Sequence, residues 1–133
     1  MKKTLFVLLS IALTWVTGVL AAAPPRDDIP ETVLITFRPK AGAEAELARV
    51  IAEHWTTVRR LDLVQADPHV TVQTKDDAKR PCFVDIITWR DEDIPDNAPP
   101  ALLTIWADMN RLTESRGEKP GIEITRVTLT STR

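Results

Sequence analysis

Beyond its 19 carboxylates, this 133-residue chain has few side chains that move protons near neutral pH or bind a metal, and they can be named individually. There are two histidines, His54 and His69, and one cysteine, Cys82. Asp85 stands among Phe83, Ile87 and Trp89 in an apolar run, where a carboxylate must find a donor or stay protonated. Histidine titrates near neutral pH, so His54 fits a proton carrier or a ligand contact, and equally a core histidine with one satisfied ring nitrogen. His69 opens a strand after Pro68 and reads as a strand-end or binding position. Arg59 and His54 are the candidate donors to Asp85, by ion pair or by hydrogen bond. His54, His69 and Asp85 are suitable ligand types for a metal, but no two of them have local ligand spacing such as i, i+4, so no metal site is assigned. Trp55, Trp89 and Trp106 each lie on an apolar stripe; they would fill a core or furnish an aromatic pocket.

Positioning these groups requires alternating strands and amphipathic helices. Cys82 to Arg90 divides into Phe83, Asp85, Ile87, Trp89 on one side and Cys82, Val84, Ile86, Thr88 on the other, so both faces need cover. Thr32 to Arg38 alternates in the same way and stops at Pro39. Ala43 to Leu61 is a helix whose stripe is Leu47, Ile51, Trp55 and Val58, widened by Ala48, His54 and Leu61. His69 to Thr74 is a strand with one polar side, suited to a sheet edge. After the short charged connection Lys75 to Pro81 it pairs antiparallel with Cys82 to Arg90. Prolines at 99 and 100 open a second helix, Ala101 to Glu114, with Leu102, Ile105, Trp106, Met109 and Leu112 on one face. A last strand spans Ile122 to Leu129, with a bulge expected near Thr125-Arg126 where the apolar phase slips.

The order strand, helix, strand, strand, helix, strand, with right-handed crossovers, gives an α+β, ferredoxin-like βαββαβ fold. Its four-stranded antiparallel sheet carries two helices on one face. Those helices cannot cover the second face, so pairing of two sheets in a homodimer is expected.

Met1-Lys2-Lys3, the apolar run Leu5 to Val19 and the small residues Ala21-Ala22-Ala23 form a secretory signal pattern, placing the signal peptide at residues 1–21. The alternative is an uncleaved anchor, because the apolar segment is long enough to span a bilayer. Residues 22–31, rich in proline and aspartate, read as a flexible leader, and residues 32–133 as the domain. The expected location is exported, periplasmic or extracellular, with no membrane association after cleavage. Lys2 and Lys3 belong to the 17 basic residues, so the mature chain carries about −4 where the whole chain carries −2. Such an acidic surface gives no reason to expect nucleic acid as a partner. A single cysteine excludes an internal disulfide, and no phosphate loop, Ser-His-Asp order, CxxC pair or nucleotide fingerprint occurs.

Phe37-Arg38-Pro39-Lys40-Ala41-Gly42 followed by Glu44 and Glu46, the Trp89-Arg90-Asp91 strand ending and Gly121-Ile122-Glu123-Ile124 together resemble the dimeric α+β barrel superfamily. Within it they are most similar to antibiotic-biosynthesis-monooxygenase (ABM) domains. The resemblance spans about Thr32 to Thr130. It implies a dimeric barrel and, in the family's oxygenases, a pocket between sheet and helices that takes an aromatic substrate without a cofactor. Trp89 matches the family's strand-three tryptophan. The first strand has no asparagine, and the second helix has none of the family's histidine.

The expected function is therefore binding of a small hydrophobic or aromatic molecule, with cofactor-independent monooxygenase activity as the enzymatic form of that reading. His54 would be catalytic, assisting proton removal, and Trp55, Arg59, His69, Asp85, Trp89 and Trp106 would bind. A non-catalytic protein-interaction module of the same fold is the alternative, and haem ligation by His54 or His69 a third possibility.

Overall fold

A computed structural model describes residues 27–130. The signal segment, the leader as far as residue 26 and residues 131–133 lie outside the described residues. The elements in chain order are β1 (Glu31–Phe37), α1 (Glu44–Arg60), β2 (Val70–Lys75), β3 (Pro81–Trp89), a single 3-10 turn at Pro95–Asn97, α2 (Pro100–Leu112) and β4 (Ile122–Arg126). The sheet runs β2-β3-β1-β4 and is antiparallel throughout, the split βαββαβ arrangement.

Cross-strand register settles which face of β3 is which. Phe37 pairs with Phe83, Ile35 with Asp85, Val33 with Ile87 and Glu31 with Trp89, so one face holds all of them. Val33, Ile35, Phe37, Phe83, Ile87 and Trp89 join Leu47, Val50, Ile51 and Val58 of α1 and Leu102, Ile105, Met109 and Leu112 of α2 in one core. The Phe83, Asp85, Ile87, Trp89 side therefore meets the helices. The other side exposes Val70 and Val72 and half-exposes Leu34, Val84 and Ile86, with threonines between them. Among these, Thr32 and Thr88 join their hydroxyls across the strands at 2.8 Å.

Local chemistry sets the element ends. Gly42 adopts φ +83 in the turn into α1, a conformation that L side chains rarely take. Glu44 and Glu46 in the first turn of α1 and Arg59 and Arg60 in the last complement its dipole. Proline at the start of α2 removes a donor that the first turn cannot use.

Three sequence expectations change. The buried stripe of α1 is Leu47, Val50, Ile51, His54, Thr57 and Val58; Trp55 is half-buried and Ala48 exposed. The helix is thus rolled from the expected face, with Trp55 at its flank, where it stacks on the His69 ring. α2 stops at Leu112, since Thr113 turns extended, bridges to Pro39 and sends its hydroxyl to the Met109 carbonyl at 2.9 Å. β4 stays in phase with β1 through all five pairs and ends at Arg126, so the slip in its pattern marks the end of an edge strand and not a bulge.

Candidate functional site

Between the sheet and the helices lies a cavity of about 510 Å³. Its floor is Val33, Ile35 and Phe37 of β1, and the edge strand adds Ile122 and Ile124, the latter 65% exposed, so this side is open. α2 contributes Trp106, Met109 and Asn110, β3 contributes Trp89, and α1 contributes His54. Glu31 and Arg126, joined as an ion pair, stand at the lining as its charged members.

His54, Trp89 and Trp106 form a triangle of rings. His54 lies 6.2 Å from Trp89 in an edge-on arrangement and 6.5 Å from Trp106, and the two indoles are 6.4 Å apart at 83°. His54 is 2% exposed, and neither ring nitrogen has a hydrogen bond. Burial, with a smaller contribution from the nearby charge of His69, lowers its pKa from 6.5 to about 4. At neutral pH it is an uncharged imidazole that offers one donor and one acceptor and holds an added proton weakly.

On the other flank of α1 is a second cluster. Asp85 is fully buried on β3 and receives the Thr71 hydroxyl on Oδ1 at 2.6 Å, with His69 Nε2 3.2 Å from the same oxygen. Thr71 Oγ1 and His69 Nε2 are themselves 3.3 Å apart. Oδ2 has no partner. Desolvation raises the Asp85 pKa above the ordinary carboxylate value, and the Thr71 and His69 contacts offset this only in part. The His69 ring stacks on Trp55 at 3.6 Å and 9°, and the Arg59 guanidinium sits 5.8 Å over the same indole.

The seven sequence-predicted residues therefore fall into two groups: His54, Trp89 and Trp106 surround the cavity, while Trp55, Arg59, His69 and Asp85 form the second cluster. The donors to Asp85 are Thr71 and His69 in place of the expected Arg59 or His54; Arg59 instead reaches the Val64 carbonyl at 3.4 Å. Sequence reading passed over Thr71, which stands directly opposite Asp85 in the β2–β3 register, and Arg126, which faces Val33. Among the described residues no group of three or more His, Cys, Asp or Glu side chains is placed to hold a metal ion. No helix among them is long and apolar enough to cross a membrane. Cys82 is buried on the opposite sheet face, 3.4 Å from the Arg116 guanidinium.

No protein-family model matches the chain, and no curated protein matches it. Solved structures do. A point mutant of SnoaB, a cofactor-independent oxygenase from Streptomyces nogalater, superposes with a TM-score of 0.56 at 20% identity, covering 77% of this chain and 95% of that one. Rv0793 from Mycobacterium tuberculosis gives 0.55 at 16%, covering 78% and 98%. A Caulobacter crescentus protein, provisionally described as an antibiotic biosynthesis monooxygenase, gives 0.51 at 14%, covering 77% and 93%. At these identities the likeness is one of fold: the chain has an ABM-like, ferredoxin-like α+β fold.

Proposed function

We propose that this chain is an exported, homodimeric domain of ABM-like fold that takes a small apolar or aromatic molecule into the cavity between sheet and helices. The observation that carries the reading is His54, a buried imidazole with both ring nitrogens unpaired, set in a wall of aliphatic and indole side chains. A buried polar group without a partner costs about 1–3 kcal/mol, and a ligand that pairs with the ring recovers that cost. The cavity volume of about 510 Å³ is within the ordinary range for small-molecule sites. Trp89 and Trp106 would hold the flat faces of such a ligand, and His54 would fix its polar group.

The reaction we propose for the site is oxygenation without a cofactor, the chemistry named for SnoaB. The ligand would supply the electrons to oxygen after losing a proton, and the apolar wall would keep water from the reactive anion. Titrating the mature chain with planar phenols is expected to quench tryptophan fluorescence, and His54→Ala or Trp106→Ala to abolish the quenching. Oxygen uptake in the same titration would separate an enzyme from a binder. No response to any aromatic ligand would favour the alternative, a non-catalytic interaction module.

The face made of exposed Val70 and Val72 and half-exposed Leu34, Val84 and Ile86 is what a second copy would cover in the homodimer. The exported chain is expected to begin at Ala22 by intact mass and to be a dimer in light scattering at micromolar concentration. Ile86→Lys, which puts a charge at the centre of that face, is expected to give monomers. A wild-type chain that is monomeric under those conditions would remove the dimer from this reading.

A further inference from the structure

Glu31 is the one carboxylate among the described residues that line the cavity. It opens β1 on the helix-facing side, directly opposite Trp89, and the Trp89 ring lies 6.2 Å from His54, so both groups neighbour one indole. Residues paired across strands in this way have Cβ atoms about 4.5–5.5 Å apart, which sets Glu31 beside the indole. Its partner in the ion pair is Arg126, the last residue of β4.

The two partners differ in exposure: the Glu31 side chain is 13% exposed and that of Arg126 is 79% exposed. This asymmetry decides which of them a ligand can replace. A solvated guanidinium that turns away from the pair regains water, and an exposed ion pair holds its members together by at most about fivefold in the equilibrium. A nearly buried carboxylate left without a donor keeps its desolvation cost, so Glu31 can exchange Arg126 only for another donor. An anionic ligand would require the reverse exchange, taking Arg126 for itself and leaving Glu31 unpaired against the cavity. The lining also holds His54, uncharged at neutral pH, and Asn110, a neutral amide in the last turn of α2. Neither supplies a positive charge to hold an anion.

We infer that the cavity selects an aromatic molecule bearing a hydroxyl or amino donor, which Glu31 receives while Arg126 turns outward to solvent. This rests on the cavity being the ligand site. Glu31 is then a specificity contact, and Arg126 the exchangeable plug that occupies it when no ligand is bound.

Equilibrium dialysis of the mature chain at neutral pH against three naphthalenes of one shape tests the inference: 2-naphthol carries the donor, 2-methoxynaphthalene lacks it, and 2-naphthoate is an anion. The wild-type chain is expected to bind 2-naphthol roughly tenfold more tightly than 2-methoxynaphthalene, the scale of a hydrogen bond to a charged acceptor, and 2-naphthoate most weakly. Glu31→Gln keeps the shape and loses the charge, and is expected to lower the preference for 2-naphthol over the ether several-fold. Arg126→Gln removes the competing partner and is expected to tighten 2-naphthol binding by up to about fivefold, the scale of the exposed pair. Three results would each overturn the inference while leaving the cavity reading in place. One is a preference unchanged in Glu31→Gln, which would mean that His54 or an indole holds the hydroxyl. The second is weaker 2-naphthol binding in Arg126→Gln, and the third is 2-naphthoate binding best to the wild type and losing affinity in Arg126→Gln. Binding of none of the three would instead sink the cavity reading, and the inference with it.

Discussion

Arg116→Ala is expected to lower the unfolding free energy by about 3 kcal/mol, because it leaves buried acceptors without a donor. For a domain of this size that corresponds to a fall in Tm on the order of 15 °C. Arg116 lies in the loop after α2 with its side chain 4% exposed. Nη2 donates to the Pro39 carbonyl at 2.9 Å, and Nη1 donates to the Pro81 carbonyl at 2.9 Å and to Asp76 Oδ2 at 3.1 Å. One guanidinium thus ties the exit of β1, the entry of β3 and the β2–β3 turn together. Proline carbonyls are the acceptors at two of these points, and the strand ladder does not use them. Burial alone would push Asp76 up, but the Arg80 backbone and charge, with Arg116, bring its carboxyl below the usual value. Arg116→Lys keeps the charge and loses the fork, so it should recover only part of the loss. Urea denaturation of the three proteins measures this; a loss under about 1 kcal/mol for Arg116→Ala would mean that the acceptors find water on relaxing.

Arg116 also marks where sequence reading stops. Its partners Pro39, Asp76 and Pro81 are brought to it by the sheet, and no local pattern in the chain links them. What alternation could specify, it did: the odd residues of β1 and the Phe83, Asp85, Ile87, Trp89 set were separable by period two, and the order of elements led to the split sheet. Which face of β3 met the helices was not separable, because both its faces are apolar and only the register with β1 distinguishes them. The site was half legible. Three tryptophans on three elements pointed to an aromatic pocket, yet His54 and Trp55 are adjacent on a helix and so about 100° apart around its axis. They cannot serve one cavity, and the structure divides them between the two flanks of α1. Thr71 as the partner of Asp85 was within reach, since the hairpin register places them opposite one another. A polar residue facing a buried carboxylate across an edge strand was the available signal.

Replacing His54 with phenylalanine is expected to remove most of a stability loss that the wild-type chain suffers in mild acid. The folded-state pKa of His54 is lowered from 6.5 to about 4, so between those values the unfolded chain binds the proton and the folded chain does not. Stability is therefore complete above pH 6.5, declines as pH falls through the interval, and levels off below about 4. At about 1.36 kcal/mol per pKa unit, the decline amounts to about 3 kcal/mol. Asp85 acts in the opposite sense. Its raised pKa means that the folded state binds its proton first, so its unfavourable contribution, present at neutral pH, is relieved as pH falls toward the ordinary carboxylate range. The difference between wild-type and His54→Phe curves isolates the histidine from Asp85 and from every other carboxylate. At pH 7 the two should lie within about 1 kcal/mol, since a ring of similar size is kept among Trp89 and Trp106. At pH 4 they should differ by about 3 kcal/mol, with the variant the more stable. Denaturant midpoints at half-unit steps of pH measure both curves, and parallel curves would mean that the imidazole is solvated in the folded state. That outcome would also weaken the cavity reading, because the same unpaired, desolvated ring is what a ligand is proposed to satisfy. Conversely, a ligand that accepts a hydrogen bond from His54 favours its protonated form and raises its folded-state pKa, so saturating ligand should shrink the acid-induced decline of the wild-type curve and make it level off at a higher pH, and leave the pH dependence of His54→Phe in place.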